Sequence, residues 1–308
     1  MQVRKSLSTQ MVALNSRQSS KSWKRFNRHI KGFLFVLPAL TIYGFFILYS
    51  GVQSLFFSFF SWQNISTRAF AGLKNYYALP TDRVFLTALS HNLIWAFLTV
   101  ALLIVFLMIA VFLTKVKGRL IFSAIYFLPA TIPFVVSAIM WGWIYNPVFG
   151  VLNFSLKSIG LDSLTRPWLA NTNIALYALF VIGTWTYFGF CIVIFMSALQ
   201  GIDTSLYEAA KIDGASDVQT FFHITIPSIK NTIIFLSIYS IIGAMKFFDI
   251  VYVMTQGGPG YSTEILSTYI FKLAFREQRI GYATSISMVQ LILVVGLSIL
   301  ILRRGRER

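Results

Sequence analysis

Long apolar stretches recur six times along the chain and are separated by shorter polar segments. A membrane-spanning helix needs about 20 mostly apolar residues, because no water is present to bind the backbone amides. The pattern therefore predicts an all-α polytopic membrane protein with six transmembrane helices. The predicted spans are 33–57, 92–114, 120–145, 175–199, 232–255 and 282–302. Pro38 in the first span and Pro129 and Pro133 in the third predict kinks.

Composition agrees with a lipid environment. Hydrophobic residues make up 56% of the chain and charged residues only 12%, which excludes a typical soluble enzyme. The single cysteine, Cys191, rules out an internal disulfide and a thiolate metal cage. We expect Cys191 to fill space inside a span, and no metal site is predicted.

The charges orient the predicted bundle. Residues 1–31 contain eight basic side chains and no acidic one, and we expect them to form a cytoplasmic tail near anionic lipid, not a cleavable signal peptide or a nucleic-acid-binding arm. With the N-terminus inside, 17 basic side chains fall on the inner side and eight on the outer side. The positive-inside rule then places both termini in the cytoplasm. The predicted organisation is tail 1–31, transmembrane domain 32–302 and a second basic tail, 303–308.

The predicted inner loop 200–231 is longer than a helix hairpin needs and holds four of the ten acids. Its residues predict two short helices. Asp203 can cap the first helix, and Gly214 can end it in a left-handed turn. Ser216 and Gln219 have capping-box spacing at the start of the second.

An apolar stripe follows in the second of these helices. Val218, Phe221, Phe222 and Thr225 are spaced to share one face. That face could pack on the bundle or bind a partner, and from the residues alone the loop could equally be a plain linker.

The same loop resembles a family motif. Glu208-Ala209-Ala210, three residues, Gly214, nine residues, Ile224, one residue and Ile226-Pro227 resemble the EAA loop of binding-protein-dependent ABC importer permeases. Ile226 stands where the family usually has leucine. Further segments resemble the carbohydrate-importing branch, and specifically its first permease subunit. These segments are 71–76, 127–129, 150–153, 213–215 and 255–259.

The resemblance implies a transport subunit and not an enzyme. In this family two permeases form a heterodimer on two ABC ATPase subunits, and an extracytoplasmic solute-binding protein delivers the sugar. The chain has no Gly-x-x-x-x-Gly-Lys-Ser/Thr phosphate loop, so ATP and Mg²⁺ are expected on the partner ATPases and no cofactor on this chain. The implied location is the cytoplasmic (inner) membrane of a prokaryote.

Two residue sets follow from the resemblance. The ATPase-coupling residues are Glu208, Ala209, Ala210, Asp213, Gly214, Ile224 and Pro227. Glu208 could hold an arginine of an ATPase subunit, while Ala209 and Ala210 would let the helix approach a cleft. The implied substrate pathway is Thr186, Tyr187, Phe190, Ser240, Gly243, Ala244 and Phe247. Aromatic and hydroxyl groups suit a sugar, but Gly243 and Ala244 depart from the amide-rich maltose pattern.

Two charged residues lie within the predicted fifth span. In a continuous helix, Lys246 and Asp249 would share one face about a turn apart. They could neutralise each other and fix the rotation of the helix, or they could contact a polar or acidic sugar.

Two other classes of membrane protein would need residues of a different kind. An ion-coupled secondary transporter would use broken helices and intramembrane acids, and only Asp249 qualifies as such an acid. A membrane enzyme would need paired carboxylates or an activated nucleophile, which the predicted spans do not contain.

Overall fold

A computed structural model describes residues 33–63 and 67–306. The predicted tail 1–31 and the last two residues of the predicted C-terminal tail lie outside these ranges. The chain forms two compact units that divide after Phe56. In the first unit the described residues form most of the first span, Phe33–Phe57. This helix contains a π-helical turn at Gly44–Tyr49, so its irregular turn lies beyond Pro38.

The second unit contains the other spans. Within the described ranges, five long apolar helices and one bent pair of helices can each cross a membrane. The five are Phe33–Phe57, Arg83–Thr114, Ala175–Gln200, Lys230–Met254 and Ile280–Gly305, and the bent pair is Arg119–Thr131 with Phe134–Ile144. The all-α six-span prediction is confirmed at this level.

The second span begins nine residues earlier than predicted. Asp82 caps it, because its carboxylate accepts hydrogen bonds from the backbone N–H groups of Val84 (2.9 Å) and Phe85 (3.1 Å). The polar residues before Asn92 interrupt the apolar stretch without interrupting the helix. Hydropathy alone therefore placed this boundary wrongly.

The third span is more than kinked. A helix at Arg119–Phe127 continues as a 3-10 turn over Leu128–Thr131, and a new helix, Phe134–Ile144, leaves at 96°. Pro133 has extended backbone (ψ 139°) and no N–H to continue the helical hydrogen bonds. The predicted span 120–145 is therefore a bent pair of helices, and the kink expected at Pro129 and Pro133 is a complete break between them.

The fifth span is broken as well. Its first part is Lys230–Lys246 and its second is Asp249–Met254. Phe247 between them has extended backbone, with ψ 131°.

The cores show how these spans run. The second half of the second span packs with the second half of the fourth span and the start of the fifth, and residues nearer its middle pack with the first half of the fourth. The second and fourth spans therefore run in the same direction, and the fifth runs the opposite way. We call loop 200–231 the coupling loop, after the role predicted for it. The end of the bundle where the second and fourth spans finish is the coupling-loop end, and the opposite end is the distal end.

The distal end carries several short elements. Strands Phe60–Gln63 and Thr67–Phe70 pair antiparallel, with Trp62 opposite Arg68. Short helices lie at Lys74–Ala78, Val151–Ser158 and Leu266–Phe271.

The last span extends as a helix to Arg306, into the predicted C-terminal tail 303–308.

Candidate functional site

A cavity of about 460 Å³ lies between the second, third, fourth and fifth spans. The break in the fifth span and both sides of the bend in the third span form part of its lining. All seven predicted substrate-pathway residues line it, together with Lys246 and Asp249. The structure thus brings the predicted set together, and their contact with substrate stays a prediction.

Two hydroxyls connect the fourth and fifth spans in this cavity. The Tyr187 hydroxyl and Ser240 Oγ are 3.0 Å apart. The Tyr187 ring stacks on Tyr239 with centroids 6.0 Å apart and planes 11° apart, and Phe190 lies 5.2 Å from Tyr239. The wall therefore combines broad aromatic surface with hydroxyl groups.

Close packing shapes the opposite wall. The rings of Trp95 and Phe247 are 4.4 Å apart. A Cβ on Gly183 would lie 2.9 Å from Trp95 and 3.2 Å from Phe247, so a side chain at Gly183 would push this wall into the cavity. Gly243 has nothing within 4 Å of its Cβ position and leaves the cavity open.

Thr186 lines the cavity, and its hydroxyl is already bonded within the fourth span. Its side chain is 4% exposed, and its hydroxyl donates to the Gly183 carbonyl at 2.8 Å. By contrast, Thr184 Oγ1 is buried without a hydrogen-bond partner and lines the same cavity.

The charged residues at the break do not pair with each other. In the part of the chain that the structure describes, ion pairs join Lys272 to Glu264 and Arg279 to Glu277, and none joins Lys246 to Asp249. The predicted shared helical face fails because the helix breaks between the two residues.

Each charge instead suits the helix end that carries it. Lys246 lies in the last turn of the first part, where backbone carbonyls concentrate negative charge. Asp249 lies in the first turn of the second part, where backbone N–H groups concentrate positive charge. Both side chains are exposed in this structure and line the cavity, so both are available to a ligand.

Side chains from three other elements satisfy carbonyls at the break. Asn92 donates to the Ala244 carbonyl at 2.8 Å. The Met245 carbonyl accepts from Ser267 Oγ at 3.3 Å and from Gln290 Nε2. These hydrogen bonds replace the helical ones that the break removes, so the fold stabilises the unwound segment.

The loop between the fourth and fifth spans has the predicted local structure. Asp203 caps helix Thr204–Ile212 by accepting from the Ser205 N–H at 2.9 Å, and this hydrogen bond lowers the pKa of Asp203. Gly214 has φ +75°, which confirms the left-handed turn. Ser216 and Gln219 form the predicted capping box.

The two faces of the loop are divided between bundle and solvent. Thr225 is buried, with its hydroxyl 3.1 Å from that of Tyr207, and Phe221 packs on the bundle core. Val218 and Phe222 are 65% and 58% exposed. The predicted stripe is therefore divided between a packed part and an unpartnered part.

The predicted ATPase-coupling residues are mostly on the surface. Glu208, Ala209, Asp213 and Pro227 are exposed and Ile224 is half-buried. Ala210 is buried within this chain, and its part in docking stays a prediction. Asp213, Gly214 and Ile224 line a shallow depression of about 330 Å³.

Sequence reasoning missed several cavity residues. The second span contributes Trp95 and Thr99, and the bent third span contributes Phe127, Ala130 and Phe134. The two prolines of the third span were the available signal, since a bend between packed helices leaves space beside it. Within residues 33–63 and 67–306, no three metal-ligating side chains cluster together.

Comparisons with known proteins agree on one group. A family model described as "Binding-protein-dependent transport system inner membrane component" matches residues 107–307. The chain is 36% identical over 273 residues to the probable ABC transporter permease protein YurN of Bacillus subtilis (strain 168), covering 87% of this chain and 93% of that protein. It is 35% identical over 303 residues to the lactose transport system permease protein LacF of Rhizobium radiobacter, covering 96% and 100%.

A solved structure has the same fold. It is a crystal structure of a bacterial ABC transporter involved in the import of the acidic polysaccharide alginate. The TM-score is 0.80 at 23% identity, and the match covers 93% of this chain and 99% of that chain.

Proposed function

Because the chain belongs to the family of binding-protein-dependent transport system inner membrane components, we propose that it is the permease subunit of an ATP-driven ABC importer that translocates a sugar or oligosaccharide. The observation that carries this proposal is the cavity lined in large part by the fourth and fifth spans, since the coupling loop joins those two spans in the chain.

The cavity chemistry supports a sugar as cargo. Aromatic rings such as Tyr187 and Tyr239 can pack against the C–H faces of a pyranose, and hydroxyls such as Ser240 can exchange hydrogen bonds with its edge. A relative named for lactose transport matches along 96% of this chain. We therefore assign the substrate-pathway role to the seven predicted residues.

The coupling loop supports docking to ATPase subunits. Its outward surface combines the Glu208 carboxylate with exposed apolar side chains, including Ile212 at 86% exposed and Val218 at 65%. Such a surface costs free energy in water and gains it on binding a partner. We propose two ABC ATPase subunits as that partner, with ATP and Mg²⁺ bound by them and not by this chain.

The remaining partners complete the proposed assembly. A second permease subunit forms a heterodimer with this chain, and an extracytoplasmic solute-binding protein delivers sugar to the distal end. The proposed location is the cytoplasmic membrane of a prokaryote with both termini inside. Support for this orientation comes from basic side chains at the coupling-loop end, among them Lys115, Lys117, Arg119, Lys211, Lys230, Arg303 and Arg304.

Uptake by proteoliposomes tests the proposed function. The assembled transporter with its binding protein should take up sugar only when the ATPase side has ATP, and ionophores should not abolish uptake. Uptake that persists without ATP and collapses with the ion gradient would instead establish the ion-coupled transporter.

Two variants test the cavity within the same assay. Tyr187→Phe and Ser240→Ala each remove one hydroxyl, and at about 0.5–1.5 kcal/mol per hydrogen bond we expect KM to rise roughly two- to ten-fold. Tyr177→Phe on the same span and Ser298→Ala on the sixth span are matched controls, because neither residue lines the cavity. A wild-type KM in all four variants would show that neither Tyr187 nor Ser240 binds the substrate through its hydroxyl.

A further inference from the structure

A second groove lies on the outside of the bundle, between the second span and the first helix of the third. Its volume is about 450 Å³. The lining residues are Val105, Met108, Ile109, Phe112, Leu113, Val116, Phe122 and Tyr126. Apart from the Tyr126 hydroxyl, these side chains are apolar, and Phe112 is 68% exposed.

The groove has the length of one membrane leaflet. From Val105 to Thr114, its last residue, the second span rises about 14 Å at 1.5 Å per residue, and half of a roughly 30 Å hydrocarbon core is about 15 Å. The groove ends at the coupling-loop end of the bundle, where the second span finishes at Thr114. It therefore spans the depth that one acyl chain occupies.

Three cations lie at the end of the groove. Lys115, Lys117 and Arg119 surround a tight turn in which Gly118 has φ +83°, and all three side chains are exposed. No ion pair involving them occurs in the described ranges. Segment 115–119 contains no acidic residue, so nothing within it offsets this charge.

We propose that this groove binds an anionic phospholipid. One acyl chain lies along the second span against Met108 and Phe112, and the phosphate-bearing headgroup contacts the cations of the turn. Basic residues next to a membrane attract anionic headgroups, whereas a zwitterionic lipid gains little from three like charges. Charge complementarity thus selects phosphatidylglycerol or a similar anionic lipid.

Lipid retention by the assembled, delipidated transporter tests this site. Phosphatidylglycerol and phosphatidylcholine are added at equal mole fraction, and the lipid retained after washing is counted by mass spectrometry. At about 1 kcal/mol per basic residue, the loss of three charges weakens binding roughly a hundred-fold, so the triple variant K115Q/K117Q/R119Q should retain at least about ten-fold less phosphatidylglycerol. The matched control K230Q/R303Q/R304Q removes three charges from the same end and should retain wild-type amounts.

A second pair of variants separates the groove from its charges. Met108→Trp fills the groove but leaves every cation in place, and it should also lose phosphatidylglycerol. Ile104→Trp is the control, because Ile104 is exposed on the same helix but does not line the groove.

Several results would overturn the proposal. Equal retention of the two lipids would show that charge does not select the occupant. Equal retention by the two triple variants, or by Met108→Trp and wild type, would show nonspecific association with lipid. A photo-cross-link to the second permease from a photoreactive residue in place of Met108, without retained lipid, would show that a protein helix fills the groove.

Discussion

The side-chain amide of Asn92 donates a 2.8 Å hydrogen bond to the carbonyl of Ala244, at the end of the first part of the fifth span. The side-chain oxygen of the same Asn92 accepts from the Leu266 N–H, also at 2.8 Å. Asn92 is fully buried. One side chain of the second span therefore holds both the broken span and the segment that follows it.

Replacing Asn92 with leucine should destabilise this junction. Two buried backbone groups would lose their partner, at about 1–3 kcal/mol each, and the cavity wall at Ala244 would lose its support. We expect a lower midpoint of thermal unfolding in the assembled transporter and slower sugar uptake. Ser90→Ala is the control, since Ser90 bonds only its own helix and is exposed. An unchanged midpoint in Asn92→Leu would contradict this role.

Lys246 and Asp249 should behave as independent sites. Because they complement different helix ends and form no ion pair, Lys246→Met and Asp249→Asn should have nearly additive effects on unfolding free energy, within about 0.5 kcal/mol. A double-mutant cycle in the assembled transporter measures this. A large coupling, with the double variant milder than either single variant, would restore the ion-pair interpretation.

Asp82 should give the protein an acid-sensitive contribution to stability. Burial raises the pKa of Asp82, but hydrogen bonds from Tyr269 and Tyr282 and from the Phe85 and Val84 N–H groups outweigh burial and lower it overall. Since the folded pKa lies below the unfolded value of about 3.9, this contribution is complete above that value and is lost as pH falls through the folded pKa.

Unfolding measured against pH tests this linkage. The stability difference between wild type and Asp82→Asn should be constant from about pH 6 to pH 8 and should shrink below about pH 4. The Asp162→Asn variant provides a control, because within the described residues the Asp162 carboxylate accepts no hydrogen bond. A difference that grows on acidification would contradict the sign.

Gly189 should tolerate no side chain. A Cβ there would overlap the backbone carbonyl of Tyr126, so the fourth span could not pack against the third. Gly189→Ala should strongly reduce the yield of assembled transporter. Gly142→Ala is the matched control, because its Cβ position has nothing within 4 Å. Equal yields would show that the two spans separate easily.

The sequence was informative where a feature depends on nearby residues. Six apolar stretches predicted the spans, and local spacing predicted the Asp203 cap, the Ser216 capping box and the turn at Gly214, which are all present. The seven predicted substrate-pathway residues also lie together in one cavity. The resemblance made this prediction possible, because it supplied an alignment for the fourth and fifth spans.

Features that depend on distant residues could not be predicted this way. The break at Phe247 is stabilised by Asn92, Ser267 and Gln290, which come from three other elements. The segment is apolar overall despite Lys246 and Asp249, so its hydropathy predicts a continuous helix. Likewise, the burial of Ala210 depends on how the loop packs and could not be read from its neighbours in the sequence.

We propose that the loop between the fourth and fifth spans couples ATP hydrolysis by the partner subunits to movement of the cavity walls. Gly214 provides the sharpest substitution, because its φ of +75° is strained for a β-branched residue although its Cβ position is open. Gly214→Val should therefore be severe, while Gly214→Asn, which tolerates this conformation, should remain near wild type. Glu208→Ala should be intermediate, with loss of a contact worth on the order of 1–3 kcal/mol.

The decisive measurement is substrate-stimulated ATP hydrolysis by purified complexes, with subunit stoichiometry and membrane levels recorded alongside. We expect Gly214→Val and Glu208→Ala to insert normally but to bind less ATPase and to lose stimulated turnover, in that order of severity. Full stoichiometry and normal stimulated turnover in both variants would show that the loop is only a linker, and would contradict the account.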